Sequence, residues 1–362
     1  MTDLFHDPDA QAARRGDGRI PLGEERTLVL PRVTGFCHGV RAALQQLEAV
    51  LARTRGRVWL FGEIIHNDTV NEHFRQRGVH ILPEGQLEDS FAATAAGDTF
   101  VIPAFGLERD LERRLRAFAD DVVDTTCDCV KLVWAFVEAQ AAARRTILLH
   151  GKPNHPETRA TLSRALTPAN AAIVVPDLDH ARWLANGIHA ASLADYPPEL
   201  VHHPDHVDLT RLAMANQTTM LFSETRKLES IIAAGAAQAG GELLPAKTVC
   251  KATQARQDAA RRVCADGVDL ILVLGGFTSS NTNQLLRLAS NYAPAFFIGK
   301  ASALTSKTIC HFDPGTKMTA TSADWLPPPG ARIALLAGAS CPPGDIGEVI
   351  RTLRQLTGLA PG

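Results

Sequence analysis

Long hydrophobic runs are missing from this chain of 362 residues, and none approaches the roughly 18–20 apolar residues that a membrane-spanning helix needs. The first residues, MTDLFHDPDAQAARRGDGRIPLGEER, hold no apolar segment of the kind a secretory leader carries, so a cytoplasmic location is the expectation. Net charge is also missing. Lys and Arg total 37 against 39 Asp and Glu, a balance of −2, and neither nucleic acid nor an acidic membrane is an expected partner. No Cys-x-x-Cys pair occurs, so zinc-ribbon and ferredoxin spacings are excluded. Nor is there a GxGxxG turn, a Walker A run or a GxSxG elbow, which removes the common nucleotide-binding and serine-hydrolase signatures. The cysteines number seven. An odd count in a chain without a leader argues against a disulfide framework and leaves metal binding, redox work or buried thiols.

What is present is regular. Short Val/Ile/Leu-rich runs such as Val58–Ile65, Thr99–Phe105, Thr146–His150, Asp269–Leu274 and Arg332–Ala337 alternate with helical periods. Runs of this length and composition suit strands buried on both faces. In the segment after Gly39, apolar residues fall at Val40, Ala43, Leu44, Leu47, Val50 and Leu51, one face of a helix. The alternation predicts an α/β fold with mostly parallel sheets. Residues 1–27 read as a mobile polar extension. Three α/β domains then follow: 28–122, 123–246 with a loop insertion at about 187–210, and 247–362. Cys37, Cys127 and Cys250 each follow a strand and precede a helix, one in each domain. Ligands gather outside the carboxyl edges of such strands, and helix N-termini there favour ionised thiols.

Cysteine is among the most buried residue types, so position alone leaves open three ordinary core thiols. The flanking residues change the balance. GFCHGV, GEIIHN, DTTC, HPET, NQTT, TVCKATQARQ, SSNTN and GAS occur in this order. The chain resembles the IspH/LytB family, 4-hydroxy-3-methylbut-2-enyl diphosphate reductases of the non-mevalonate isoprenoid pathway, over about residues 28–352. The resemblance implies a trefoil of three pseudo-equivalent α/β domains around a central [4Fe-4S] cluster. Cys37, Cys127 and Cys250 match its ligands, and one iron then lacks a protein ligand. His66, Ser279, Ser280, Asn281 and Ser340 match contacts to the substrate diphosphate. His155, Glu157 and Thr218 match the groups that deliver and relay protons as the allylic hydroxyl leaves. An electron donor such as ferredoxin or flavodoxin is implied as partner. Taken singly, the serines, Asn281 and Thr218 read equally well as helix caps, and Glu157 as a first-turn helix acid.

Three departures stand beside these matches. Phe105, in Ile102-Pro103-Ala104-Phe105-Gly106, occupies the place of a second diphosphate-binding histidine. Pro343 replaces the usual Asp after the GAS-x-Pro run. Cys129 and Cys341 adjoin family positions and are open between core thiols and groups near the cluster, whereas Cys264 and Cys310 read as core. Three readings therefore stand: the reductase, a divergent paralogue acting on another substrate, and a non-catalytic electron carrier or redox sensor. A carrier needs no proton relay, so the set His155, Glu157 and Thr218 speaks for an enzyme.

Overall fold

The computed structural model describes residues 4–83, 95–246 and 248–359. Three sheets form among them. A four-stranded sheet orders Val79–Leu82, Val58–Phe61, Thr99–Ile102 and Val122–Asp124, all parallel. A five-stranded sheet orders Glu242–Pro245, Arg211–Asn216, Thr146–His150, Ala172–Val175 and the short antiparallel edge Val201–His202. A seven-stranded sheet has a parallel centre of Thr27–Val29, Arg332–Ala337, Leu270–Leu274 and Ala295–Ile298. Antiparallel additions flank that centre: Arg19–Pro21 on one side, and the hairpin Thr308–Asp313 with Met318–Ala323 on the other. The α/β expectation with mostly parallel sheets therefore holds.

The chain forms two compact units. One holds the residues up to Arg41, Ile65–Arg77 and everything from Lys251 onward, and carries the seven-stranded sheet. The other holds Ala42–Ile64 and Gly78–Cys250, with the two smaller sheets. In the first unit, Leu270, Leu272 and Leu274 enter one core with Ile333, Leu335 and Ile350, while Ile271 and Val273 enter a second with Ala334, Leu285 and Leu288. Both faces of the sheet are covered, which is why these strands read as unbroken apolar runs.

Sheet membership differs from the linear domain borders. Thr27–Val29 pairs with Arg332–Ala337 rather than with the four-stranded sheet. Each cysteine still follows a strand of its own sheet, but the order is shifted. Cys127 follows the last strand of the four-stranded sheet, Cys250 follows Glu242–Pro245 of the five-stranded sheet, and Cys37 follows Thr27–Val29 of the seven-stranded sheet.

Residues 8–21 are not a mobile tail. Asp7 caps the helix Pro8–Arg15, whose Ala10 and Ala13 are buried in the same core as Ile346 and Ile350. Asp7 and Asp9 pair with Arg351, and Asp9 also pairs with Arg354. Gly347 makes room for this, since a Cβ there would stand 1.9 Å from the Asp7 carboxylate. The expected loop at 187–210 is also structured. It contains the end of the helix Leu178–Ala190, a 3-10 turn at Pro198–Leu200, the edge strand Val201–His202, and a buried Tyr196 whose hydroxyl donates to the Val174 carbonyl at 2.7 Å. Cys310 is exposed on the hairpin rather than in the core, because alternate residues of that antiparallel ribbon face out.

One buried acid ties down the four-stranded sheet. Burial alone would raise the Asp98 carboxyl. Hydrogen bonds from Trp59 Nε1 at 2.8 Å, the Ala95 and Arg57 amides and the Arg57 guanidinium outweigh it and hold the group at about 2. A depressed carboxyl pKa stabilises the fold above the unfolded value near 3.9 and loses that contribution as pH falls toward the folded one, about 2 kcal/mol here. Thermal melts should therefore show the wild type losing this increment between about pH 4 and pH 2. Asp98→Asn should be less stable at neutral pH and show no such step. A melting difference that stays constant down to pH 2 would remove Asp98 from that role.

Candidate functional site

The residues singled out in the sequence fall into two clusters, one in each unit. The first lies at the carboxyl ends of the central strands of the seven-stranded sheet. After Leu270–Leu274 the chain passes Gly275-Gly276 and starts the helix Ser280–Ala289, for which Ser279 is the N-cap, accepting from Thr282 N at 3.3 Å. After Arg332–Ala337 the parallel turn carries Ser340. Its hydroxyl donates to the His66 carbonyl at 3.1 Å and to Ser279 Oγ at 3.3 Å. Gly276 allows the His66 loop this close, since a Cβ there would stand 2.4 Å from the His66 carbonyl oxygen. The cluster thus joins His66, Ser279, Ser280, Asn281 and Ser340.

Ser280 and Asn281 are not caps. Asn281 Oδ1 accepts from Ala339 N at 2.9 Å, which fixes the amide orientation and leaves Nδ2 without a hydrogen-bond partner. Ser280 Oγ is likewise buried without one. Both residues are at most 3% exposed. Buried polar groups are nearly always satisfied, and two such groups at a helix N-terminus can receive an anion or a water. Cys37 adjoins the same turn, its amide donating to the Ala339 carbonyl at 3.2 Å. Its Sγ accepts from Val40 N at 3.4 Å, at the start of the helix His38–Arg53.

The second cluster belongs to the other unit. Cys127 N-caps the helix Asp128–Ala142, and its amide donates to the Ala104 carbonyl at 2.9 Å. Phe105, next in that loop, is buried and meets the His155 ring edge-on, centroids 6.4 Å apart. His155 caps the helix Pro156–Ala165, its Nδ1 accepting from Glu157 N at 3.1 Å. Glu157 is 4% exposed, and both of its carboxylate oxygens accept from Thr218: Oε1 from the amide at 2.6 Å and Oε2 from the hydroxyl at 3.0 Å. The Thr218 carbonyl in turn accepts from Cys250 N at 3.2 Å. Glu157, Thr218 and Cys250 are therefore linked by consecutive hydrogen bonds. Sequence reasoning missed Gln217, which is fully buried. It receives Lys152 N and Thr158 Oγ1 on its Oε1 and so holds the Thr218 loop against the helix that carries Glu157. Its place inside the NQTT run was the available signal.

Cys129, in the first turn after Cys127, sits with its Sγ 3.3 Å from that of Cys250. Burial, then the Cys250 and Cys127 thiols beside it, push its thiol well up. Cys341 is fully buried in the core with Ile346 and Leu335, and Cys264 is also core, its thiol pushed up to about 11 by burial. Pro343 opens the helix Pro343–Leu356, and Asp345 follows two residues later. Burial, with Glu348 nearby, pushes its carboxyl up to about 7.

The donor set fits an iron–sulfur cluster. Cys37, Cys127 and Cys250 each immediately precede a helix, where terminal amides can hydrogen-bond sulfide. Among the described residues no three of His, Cys, Asp and Glu converge tightly enough for a single metal ion. Among the described residues, no helix is long and apolar enough to cross a membrane.

Comparison with known proteins bears on these clusters. A family model described as LytB protein matches residues 28–354. A 4-hydroxy-3-methylbut-2-enyl diphosphate reductase from Synechococcus sp. is 34% identical, over 96% of this chain and 89% of its own. One of the same name from Thermosynechococcus vestitus is 33% identical, over 92% and 86%. The solved structure of the Plasmodium falciparum E-1-hydroxy-2-methyl-but-2-enyl-4-diphosphate reductase shares the fold at a TM-score of 0.68 with 22% identity, covering 90% of this chain and 86% of that one. A second solved reductase, described as the terminal enzyme of the non-mevalonate pathway, aligns at 0.57 with 24% identity, over 91% and 99%.

Proposed function

Because this chain belongs to the LytB family of oxidoreductases, we propose that it reduces 4-hydroxy-3-methylbut-2-enyl diphosphate to isopentenyl and dimethylallyl diphosphate at a [4Fe-4S] cluster held by Cys37, Cys127 and Cys250. The observation that carries this reading is Glu157. It is a nearly buried carboxyl whose two oxygens are both held by Thr218, and Thr218 also holds the backbone of Cys250. A carrier or sensor has no use for such an acid.

A cluster held by Cys37, Cys127 and Cys250 would supply one-electron chemistry, fed by a ferredoxin- or flavodoxin-type donor, and Lewis acidity toward the substrate hydroxyl. The chain does the rest. Ser280 Oγ and Asn281 Nδ2, with Ser279, Ser340 and His66, bind the diphosphate at the N-terminus of the helix Ser280–Ala289. Glu157 gives up the proton that lets the hydroxyl leave as water. Thr218 fixes the Glu157 carboxyl and is placed to pass a proton on to it through its hydroxyl. His155 Nδ1, by capping Glu157 N, sets where that helix and its acid begin. A turnover assay of the anaerobically prepared chain, with this diphosphate and a low-potential reductant, tests the reading. Formation of the two isomeric diphosphates supports it, and an inactive protein with its cluster loaded would overturn it.

Phe105 favours a second reading, a paralogue with another substrate. A phenyl ring offers neither hydrogen bond nor charge where the family's second histidine stands. A charge-assisted contact is worth roughly 1.5–3 kcal/mol, or about ten- to a hundredfold in affinity. Phe105→His should accordingly lower KM for the diphosphate at least about tenfold and leave kcat within a few-fold. An unchanged KM in anaerobic steady-state kinetics would mean that another group already does this work.

A further inference from the structure

Cys129 is the thiol for which the proposed chemistry has no task. It lies in the first turn of the helix Asp128–Ala142, and Cys250 ends the loop before the helix Lys251–Ala265, so the two belong to different elements of one unit. Their sulfurs are 3.3 Å apart, and both side chains are partly exposed. A disulfide bond is about 2.04 Å long, so a closure of about 1.3 Å would join them. Cys127 lies beside Cys129 in the same unit, two residues back along the chain, whereas Cys264, Cys310 and Cys341 all belong to the other unit.

We propose that Cys129 is a resolving cysteine: in the cluster-free protein it closes a reversible disulfide with Cys250, using a peroxide as oxidant. Cys250, directly before the helix Lys251–Ala265, is the sulfur that reacts first, and Cys129 resolves it. The Cys250 thiolate attacks one oxygen of hydrogen peroxide. The O–O bond breaks, Cys250 becomes a sulfenic acid, and the departing hydroxide takes up a proton to become water. The Cys129 sulfur then attacks the sulfenic sulfur. The S–S bond forms as the S–O bond breaks, and the second hydroxide leaves as water with the Cys129 proton. Two thiols are thus oxidised by two electrons, and one peroxide is reduced to two waters. The disulfide withholds Cys250 from cluster assembly while sparing it from irreversible oxidation, and a dithiol reductant reopens it. The effect on assembly rests on the reading of Cys250 as a cluster ligand, whereas the bond itself does not.

The test uses the full chain, stripped of cluster by a chelator under reducing conditions, freed of reductant and treated with one equivalent of hydrogen peroxide. Peptide mapping without reduction should find Cys129 joined to Cys250, with two of the seven thiols lost. Dithiothreitol should restore both the thiols and iron–sulfide loading. In Cys129→Ser the linked peptide should be missing, and Cys250 should appear instead as sulfenic acid, which a second equivalent of peroxide carries on to sulfinic acid. A bond from Cys127 to Cys129, a bond from Cys250 to Cys127 or Cys37, or equal overoxidation of Cys250 in wild type and variant, would overturn the proposal. Iron loading of the untreated chain separates the two claims. Failure to load before any peroxide would contradict the cluster reading, and the mapped bond would still decide this one.

Discussion

Glu157→Gln should cost roughly a hundred- to ten-thousandfold in kcat while leaving the protein folded and its cluster loaded. The geometry makes the substitution clean. The glutamine carbonyl still accepts the Thr218 amide that now reaches Oε1 at 2.6 Å. Its new amide faces Thr218 Oγ1, now 3.0 Å from Oε2, and that hydroxyl can turn from donor to acceptor. Both contacts to Thr218 can be kept, so stability should change little. What is lost is the only proton this side chain can give. KM should stay near the wild-type value, because the diphosphate contacts lie on other residues. Anaerobic kinetics beside iron analysis would check both statements. A variant that turns over at the wild-type rate would place the acid elsewhere. Thr218→Val, which removes one of the two bonds to Glu157, should be a milder defect in the same direction.

Cys127→Ala should abolish cluster loading altogether. A cluster bound through Cys37, Cys127 and Cys250 has only three protein ligands, and removing one leaves two. The helix Asp128–Ala142 does not depend on the thiol, because Cys127 makes no side-chain capping bond. Its far side stays buried through Val133 and Val137. The fold should therefore survive, and iron and sulfide should both fall to background. Cys264→Ala makes the matched control. That thiol packs in the core with Ile271 and Val273, and its loss should cost some stability through the cavity but no iron. Equal iron in wild type and Cys127→Ala would remove this cysteine from the ligand set.

The α/β class was legible because Leu270–Leu274 and Thr146–His150 are covered on both faces and must be apolar throughout. Glu157, Thr218 and the Ser279–Asn281 turn were legible as a set, and the structure brings them into two clusters. What escaped notice has physical reasons. The pairing of Thr27–Val29 with Arg332–Ala337 joins segments some 300 residues apart, and no local pattern reports it. Residues 8–21 are held by Asp7 and Asp9 against Arg351 and Arg354, charges that read in sequence as solvated. Met318–Ala323 of the hairpin is largely exposed and its partner Thr308–Asp313 mostly half-buried, so the two strands carry little apolar signal. Cys129 was visible as an extra thiol, but its 3.3 Å approach to Cys250 depends on how a helix and a distant loop meet.

The proposed chemistry rests on three thiols that each follow a strand of a different sheet. Iron and acid-labile sulfide, measured per chain on protein prepared without oxygen, test that most directly. About four of each are expected, with broad brown absorbance that bleaches on reduction. A fully folded, oxygen-free preparation holding neither iron nor sulfide would contradict it.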